Sequence, residues 1–474
     1  MNVQRLLIDR LKRIDPRFLP FADAASAELP LGRLMRLALF QVSVAMASVL
    51  LLGTLNRVMI VELGVSASLV ALMVALPFLF APFRALVGFR SDTHRSAFGW
   101  RRVPYVWAGT MLQFAGLAIM PFALLLLGTD HDAPPVIGHI GAALAFLLTG
   151  AGLHTTQTAG LALATDLAST EQRPRVVALM YVVFLVSMIV SGYLFSFVLA
   201  EFNPMRLIQV VQGAAVTTFF LNVVALWKQE ARRRPEPREA SPSFGQAWKR
   251  FAEKPQARRF LVAVGLGTAA FNMQDIILEP YGAEVLGLSV SSTTMLTAIL
   301  AAGSLAAFSL AAGLLAKGLH PCRLAALGVL VGVLGFSLVI FSGAFGAPLL
   351  FRAGVIAIGF GAGFFSVSTL IAAMNLDSGE QIGLALGAWG AVQTTSAGIA
   401  IGLGGVLRDS LAALGATGQL GKAFLASSSA YGVIYHLEIL LLFLTLVALG
   451  PLVRAWRRDE SIAPARIQLA EFPN

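Results

Sequence analysis

Apolar residues fill this chain in long unbroken runs, and charge gathers in the short stretches between them. The runs lie near 37–63, 66–89, 103–128, 138–166, 176–201, 206–228, 259–286, 290–316, 323–343, 348–375, 382–407 and 431–454. Each matches the roughly 20 residues that a helix needs to cross a hydrocarbon core. The pattern predicts twelve transmembrane helices. One connection, 229–258, is long and rich in charge and proline, and it separates six runs from six. Before the first run, Val3, Leu7, Leu11 and Ile14 recur at helical spacing among Arg5, Arg10, Lys12 and Arg13, which predicts a short amphipathic helix on the membrane surface. Residues 1–36 are therefore a cytoplasmic amphipathic segment, 37–228 an N-terminal six-helix half, 229–258 a linker, 259–455 a C-terminal half and 456–474 a tail.

Composition agrees with a lipid environment. The 474 residues are 57% hydrophobic and 13% charged, about half the charged share of an ordinary globular protein. Mean hydropathy is +0.78. The net charge of +10 would suggest nucleic acid in a soluble protein, but its placement points elsewhere. Basic residues crowd the tails and the connections after even-numbered runs, whereas the opposite connections hold only Arg206, Arg408 and Lys422. This positive-inside bias puts both termini and the linker in the cytoplasm, beside anionic headgroups, with no nucleic-acid partner. Seven basic residues precede Leu37, so a cleavable signal peptide is not expected. Cys322 is the single cysteine, which excludes an intrachain disulfide and a thiolate metal cluster.

Internal similarity supports duplication. An offset of 211 lays Gly150 and Gly152 on Gly361 and Gly363 and brings Asp166 onto Asp377; an offset of 223 lays Leu63, Gly64 and Ser66 on Leu286, Gly287 and Ser289. The arrangement expected is two parallel repeats about an axis along the membrane normal.

Few groups inside the runs carry chemistry, and each costs free energy in lipid unless paired or wet. Arg57, Arg84, Asp275 and Glu279 stand out. Under the 223 offset Asn56 falls on Glu279, so Arg57 is expected to pair with Glu279 or Asp275 as a gate or strut between the halves. Snorkelling to headgroups is the alternative for both arginines. Pro280 and Gly282 predict a bend in the seventh run. His154, in the fourth, is either an internally bonded core histidine with Thr155–Thr158 at hand or an axial ligand for a chlorin magnesium. Gly328/Gly332 and Gly398/Gly402 suit tight helix packing. No nucleophile–base constellation, phosphate loop or metal-ligand spacing is evident, and an enzyme is not expected.

The loop GFRSDTHRSAFGWRRVPY, with Gly88, Asp92, Arg95, Arg101 and Arg102, resembles the signature loop of the major facilitator superfamily, although its basic pair comes late and Lys317 stands where the second half would place an acid. TDLASTEQRPR also resembles the loop after the fourth span of that superfamily. RFLPFADAAS, FQVSVAMASVLLLGTLNRVMIVELGV, APFRALVGFRSDTHRSAFGWRRVPYVW, GLHTTQTAGLALATDLA and ILEPYGAEVLGLS are similar to the bacteriochlorophyll delivery (PucC/LhaA) family within it. That resemblance implies an all-α major facilitator fold in an inner, intracytoplasmic photosynthetic membrane. It also implies a factor for light-harvesting complex assembly that binds or delivers bacteriochlorophyll. Its partners would be antenna polypeptides, and reaction-centre or pigment-synthesis proteins are further candidates. A secondary transporter of a small solute, and a pigment-free chaperone of antenna polypeptides, are the alternatives that the fold alone allows.

Overall fold

The computed structural model describes residues 29–79, 100–127, 134–169, 172–230, 255–375, 382–417 and 427–456. Arg84, Gly88, Asp92, Arg95, the amphipathic segment before residue 29, most of the linker and the tail after 456 lie outside them.

The described residues form helices and turns without a strand. In chain order they are α1 (Leu31–Glu62), α2 (Ala67–Leu79), α3 (Val103–Leu127), α4 (Pro135–Leu167), α5 (Arg173–Val198), α6 (Pro204–Leu226), α7 (Pro255–Glu284), α8 (Val290–Ala316), α9 (Pro321–Phe345), α10 (Pro348–Asn375), α11 (Ile382–Ala416) and α12 (Ser427–Trp456). Ten are long and apolar enough to span a bilayer, and the bent α7 makes an eleventh. α2 is shorter, its expected continuation falling outside the described residues.

Start signals are local. Asn203, Ser289 and His320 accept hydrogen bonds from backbone N–H groups at the N-termini of α6, α8 and α9, and Pro204 and Pro321 occupy first-turn positions where a missing N–H costs nothing.

Within the first half α3 packs on α4 and α6, and α1 on α5 and α6; in the second, α9 packs on α10 and α12, and α7 on α11 and α12. The halves meet through α2 on α11 and α5 on α8, with the outer part of α1 against α7 and α8. Outer and inner here follow the charge bias. The two cross-half pairs are related by the repeat, as a parallel duplication requires.

Local geometry repeats too. Gly64 and Gly287 both have φ +65°. Val65 N donates to Met59 O at 2.9 Å, and Leu288 N to Gly282 O at 3.0 Å. The same glycine-closed end thus finishes α1 and α7, 223 residues apart. The 211 offset between α4 and α10 is corrected by the packing of their neighbours. A methyl at Gly109 on α3 would meet Gly152 O at 2.8 Å and Thr156 N at 2.7 Å; one at Gly328 on α9 would meet Gly361 O at 2.7 Å and Phe365 N at 2.9 Å. Gly116 faces Thr149 and Ala145 as Gly335 faces Ile358 and Gly354. Gly152 therefore corresponds to Gly361, an offset of 209, and His154 corresponds to Gly363 and not to Phe365. Both helices carry glycines two apart, so glycine matching alone slips by two residues.

Two departures from regular helix shape the centre. In α1, π-helical turns at Leu50–Thr54 and Val58–Glu62 flank Asn56 and Arg57. α7 tightens to a 3-10 turn at Met273–Ile276 and bends by 40° before Leu278. Pro280 has no N–H for the carbonyl of Ile276, so the helix yields one turn ahead of it.

Candidate functional site

Between the halves lies a cavity of about 270 Å³. The first half lends Phe78 from α2 and His154 from α4; α7 supplies Thr268, Asn272, Gln274 and Asp275, and α11 supplies Gln393 and Thr394. The 3-10 turn of α7 delivers Gln274 and Asp275 to this wall. Gln274 Nε2 donates to Asp275 Oδ1 at 2.6 Å.

Above the cavity the halves are closed by polar bonds. Asn56 Nδ2 donates to the Asp275 carbonyl at 2.9 Å, Ser68 N to Asp409 Oδ2 at 2.7 Å, and Ser196 Oγ to the Ser291 carbonyl at 2.9 Å, while Thr54 and Thr294 hydroxyls lie 3.2 Å apart. These four cross-half contacts make up an outer seam. Gly53 lets α1 lie directly on Glu279: a methyl there would collide with Glu279 Oε1 and Thr297 Oγ1.

Arg57 does not pair with Glu279 or Asp275. Its guanidinium bonds Glu62 on its own helix, because the π-helical turn sets residues five apart one above the other. Glu279 instead accepts from Thr297 Oγ1 at 2.8 Å. The outer parts of α1 and α7 do touch, through Asn56 and Gly53 and without the expected ion pair.

Of the expected signature loop, only its end is described. Arg101 and Arg102 are described, and their backbone N–H groups, with that of Val103, donate to the Glu230 carboxylate at 2.7, 3.1 and 2.9 Å. The Arg102 side chain pairs with Asp166 at 2.9 Å. The residue before α3 is thus tied to the ends of α4 and α6.

Sequence reasoning passed over three acids inside helices, Glu284, Asp409 and Glu438, and set one helical arginine, Arg408, in a connection. Glu438 on α12 is fully buried. Arg408 lies on α11, which runs past the expected limit of 407 to Ala416, and is not a connection residue. It bonds Glu284 at 2.8 Å and Asp409 at 3.0 Å. Tyr431 on α12 donates to Glu284 at 2.9 Å. Glu438 carried a signal, being a lone acid in HLEILLL.

His154 stands on the cavity wall, edge-on to Phe78 with ring centroids 5.7 Å apart. The space beside it is smaller than the roughly 300–1,000 Å³ of pockets for drug-sized ligands. A bacteriochlorin with its tail is larger still and does not fit inside this cavity. Among the described residues no group of three His, Cys, Asp or Glu side chains is placed to hold a metal ion.

A profile described as "PUCC protein" matches residues 54–456. The chain is 54% identical to "Protein PucC" of Rhodovulum sulfidophilum, over 86% of this chain and 92% of that protein. It is 51% identical to "Protein PucC" of Cereibacter sphaeroides, over 95% and 98%. In overall shape it is similar to a bacterial homologue of the human lysosomal transporter Spinster solved in an inward-facing, unoccupied conformation. The TM-score is 0.67 at 13% identity, with 90% of this chain and 98% of that one covered. That likeness establishes the major facilitator fold.

Proposed function

Because the chain belongs to the PUCC protein family, we propose that it is a non-enzymatic assembly factor for bacterial light-harvesting complexes, supplying bacteriochlorophyll to nascent antenna polypeptides in the inner photosynthetic membrane. The observation that carries this reading is the family match across residues 54–456. The central cavity is too small for the pigment, so the pigment meets the protein on its lipid-facing side. An aromatic cluster on α3 and α6 offers such a surface: Trp107 and Phe114 contact Phe219 at 5.6 and 5.9 Å, and Phe220 lies beside it at 5.6 Å. Trp107 and Phe220 are exposed on the outside of the bundle.

The test is absorbance of the purified protein together with antenna content in a deletion strain. Retained bacteriochlorophyll and a deficit of antenna absorbance restored by the gene are expected. His154→Phe should leave the pigment in place, and Trp107→Ala with Phe220→Ala should diminish it. A colourless protein that copurifies with antenna polypeptides would instead mark a pigment-free chaperone.

The polar cavity between the halves favours a second reading, transport of a small solute by alternating access. Solute-stimulated counterflow in liposomes, with normal antenna content in the deletion strain, would establish it over the first.

A further inference from the structure

Glu438 is the least explained residue in the bundle. It is 0% exposed, and neither carboxylate oxygen has a partner at good hydrogen-bond geometry, the backbone N–H of Gln274 being the one donor near enough to favour its charge. Around it stand more unsatisfied polar atoms: Tyr435 Oη one turn back on α12, fully buried, and Gln274 Oε1 on α7, 1% exposed. Asp275 lies within Coulombic range of Glu438. Every element packed on this stretch of α12 can be checked for a compensating charge. α7 presents Asp275, Glu279 and Tyr281. α9 presents Phe336, whose ring lies 6.1 Å from that of Tyr435. α11 carries Arg408 and Asp409, which are engaged with Glu284 and Ser68. Arg57 on α1 bonds Glu62. Among the described residues, then, no cation pairs with Glu438.

An unpartnered carboxylate anion is among the costliest groups to bury, and a carboxylic acid is far cheaper because its proton removes the charge and adds a donor. A multivalent ion is no substitute, since the donors do not form a metal site. A proton needs only the carboxyl itself and one acceptor, and the free oxygens of Gln274 and Tyr435 are acceptors.

We propose that Glu438, with Asp275 and Gln274, forms a proton-binding site that exchanges with the central cavity. Glu438 is the dry end, holding the proton on a carboxylate oxygen. Asp275 and Gln274 are the wet end, because they line the cavity and are bonded to each other. On release the proton passes to water in the cavity and leaves the carboxylate anion behind. The same Asp275 offers its carbonyl to Asn56 across the halves, so loading and unloading occur beside the outer seam. The site goes beyond the assembly reading and stands or falls separately from it.

The test uses the full-length protein in detergent and a hydrophobic carbodiimide, which adds to protonated carboxyls in apolar surroundings. Mass spectrometry should place an adduct on Glu438 that falls about tenfold per pH unit beyond its midpoint. Glu438→Gln should abolish that adduct, and Asp275→Asn should leave it in place. Measured against Glu438→Gln, the thermal midpoint of the wild type should fall as pH rises, since the folded state holds the extra proton, so the two proteins should differ in slope. An absent or pH-independent adduct, or an unaltered slope in Glu438→Gln, would overturn the site. Protection from labelling by sodium at fixed pH would overturn it in favour of an alkali-cation site.

Discussion

Arg408 on α11 holds both oxygens of Glu284 on α7, at 2.8 and 2.9 Å, and its guanidinium lies 5.4 Å from the centre of the Tyr431 ring. Three helices of the second half are thereby joined at their outer ends. Both side chains are about one-fifth exposed, so water screens the pair only in part. Removing one partner of a fully buried pair costs about 3–5 kcal/mol; at this exposure about 2 kcal/mol is expected for Arg408→Ala. Arg408→Lys should recover part of it, because the charge stays while the fork is lost. Denaturation in detergent micelles measures both. Wild-type stability in Arg408→Ala would show that the pair is decorative.

The glycine-closed ends of α1 and α7 make a paired prediction. Gly64 and Gly287 hold φ +65° in open space, so an alanine there meets no neighbour and pays only for the left-handed backbone. Gly64→Ala and Gly287→Ala should each cost about 1–2 kcal/mol, and the asparagine variants less. Equal penalties at the two sites are the signature of a shared role. A penalty for one substitution alone would mean that the two ends bear load differently despite their shared geometry.

Glu230 sits beyond α6, yet its carboxylate receives three N–H groups at the start of α3. It satisfies donors that a helix N-terminus leaves open and places negative charge where the helix dipole favours it. Glu230→Gln keeps the shape and loses the charge, so a loss of about 1 kcal/mol is expected, and Glu230→Ala should lose more. Thermal melting separates the three proteins. Indistinguishable midpoints would remove Glu230 from the account of how α3 is anchored.

The spans were legible because lipid demands long apolar runs, and the fold was expected from the internal duplication and from the resemblance of GFRSDTHRSAFGWRRVPY to the major facilitator signature loop. The bend of α7 was readable from Pro280. Three kinds of feature were not. Arg57 was expected across the seam because straight helices set it level with Glu279; the π-helical turns that hand it to Glu62 leave no mark in residue type. Arg408 was taken for a loop residue because a charge ordinarily ends a span, and only its partner Glu284, 124 positions away, lets the helix continue. The register between α4 and α10 slipped by two because glycine repeats identify a packing face without fixing which glycine meets which neighbour.

His320 links the inner end of α9 to pH. It stands just before the helix, and its Nδ1 accepts the backbone N–H of Cys322 at 3.1 Å. Only the neutral ring can accept. Burial lowers its pKa from the ordinary 6.5, and the nearby Arg323 charge lowers it further. The folded state therefore binds this proton less readily than the unfolded chain. Linkage fixes the sign: the contribution is fully present above the unfolded value and is lost as pH falls through the lower folded one. Acidification below about 6.5 should erode stability by about 0.5–1 kcal/mol through this cap. His320→Asn keeps a capping oxygen and cannot titrate in that range. Melting of wild type and variant from about pH 7.5 down to 5 should show the wild type losing stability relative to His320→Asn, with the two curves close at the alkaline end. Parallel curves would mean that the cap is carried by groups other than the imidazole.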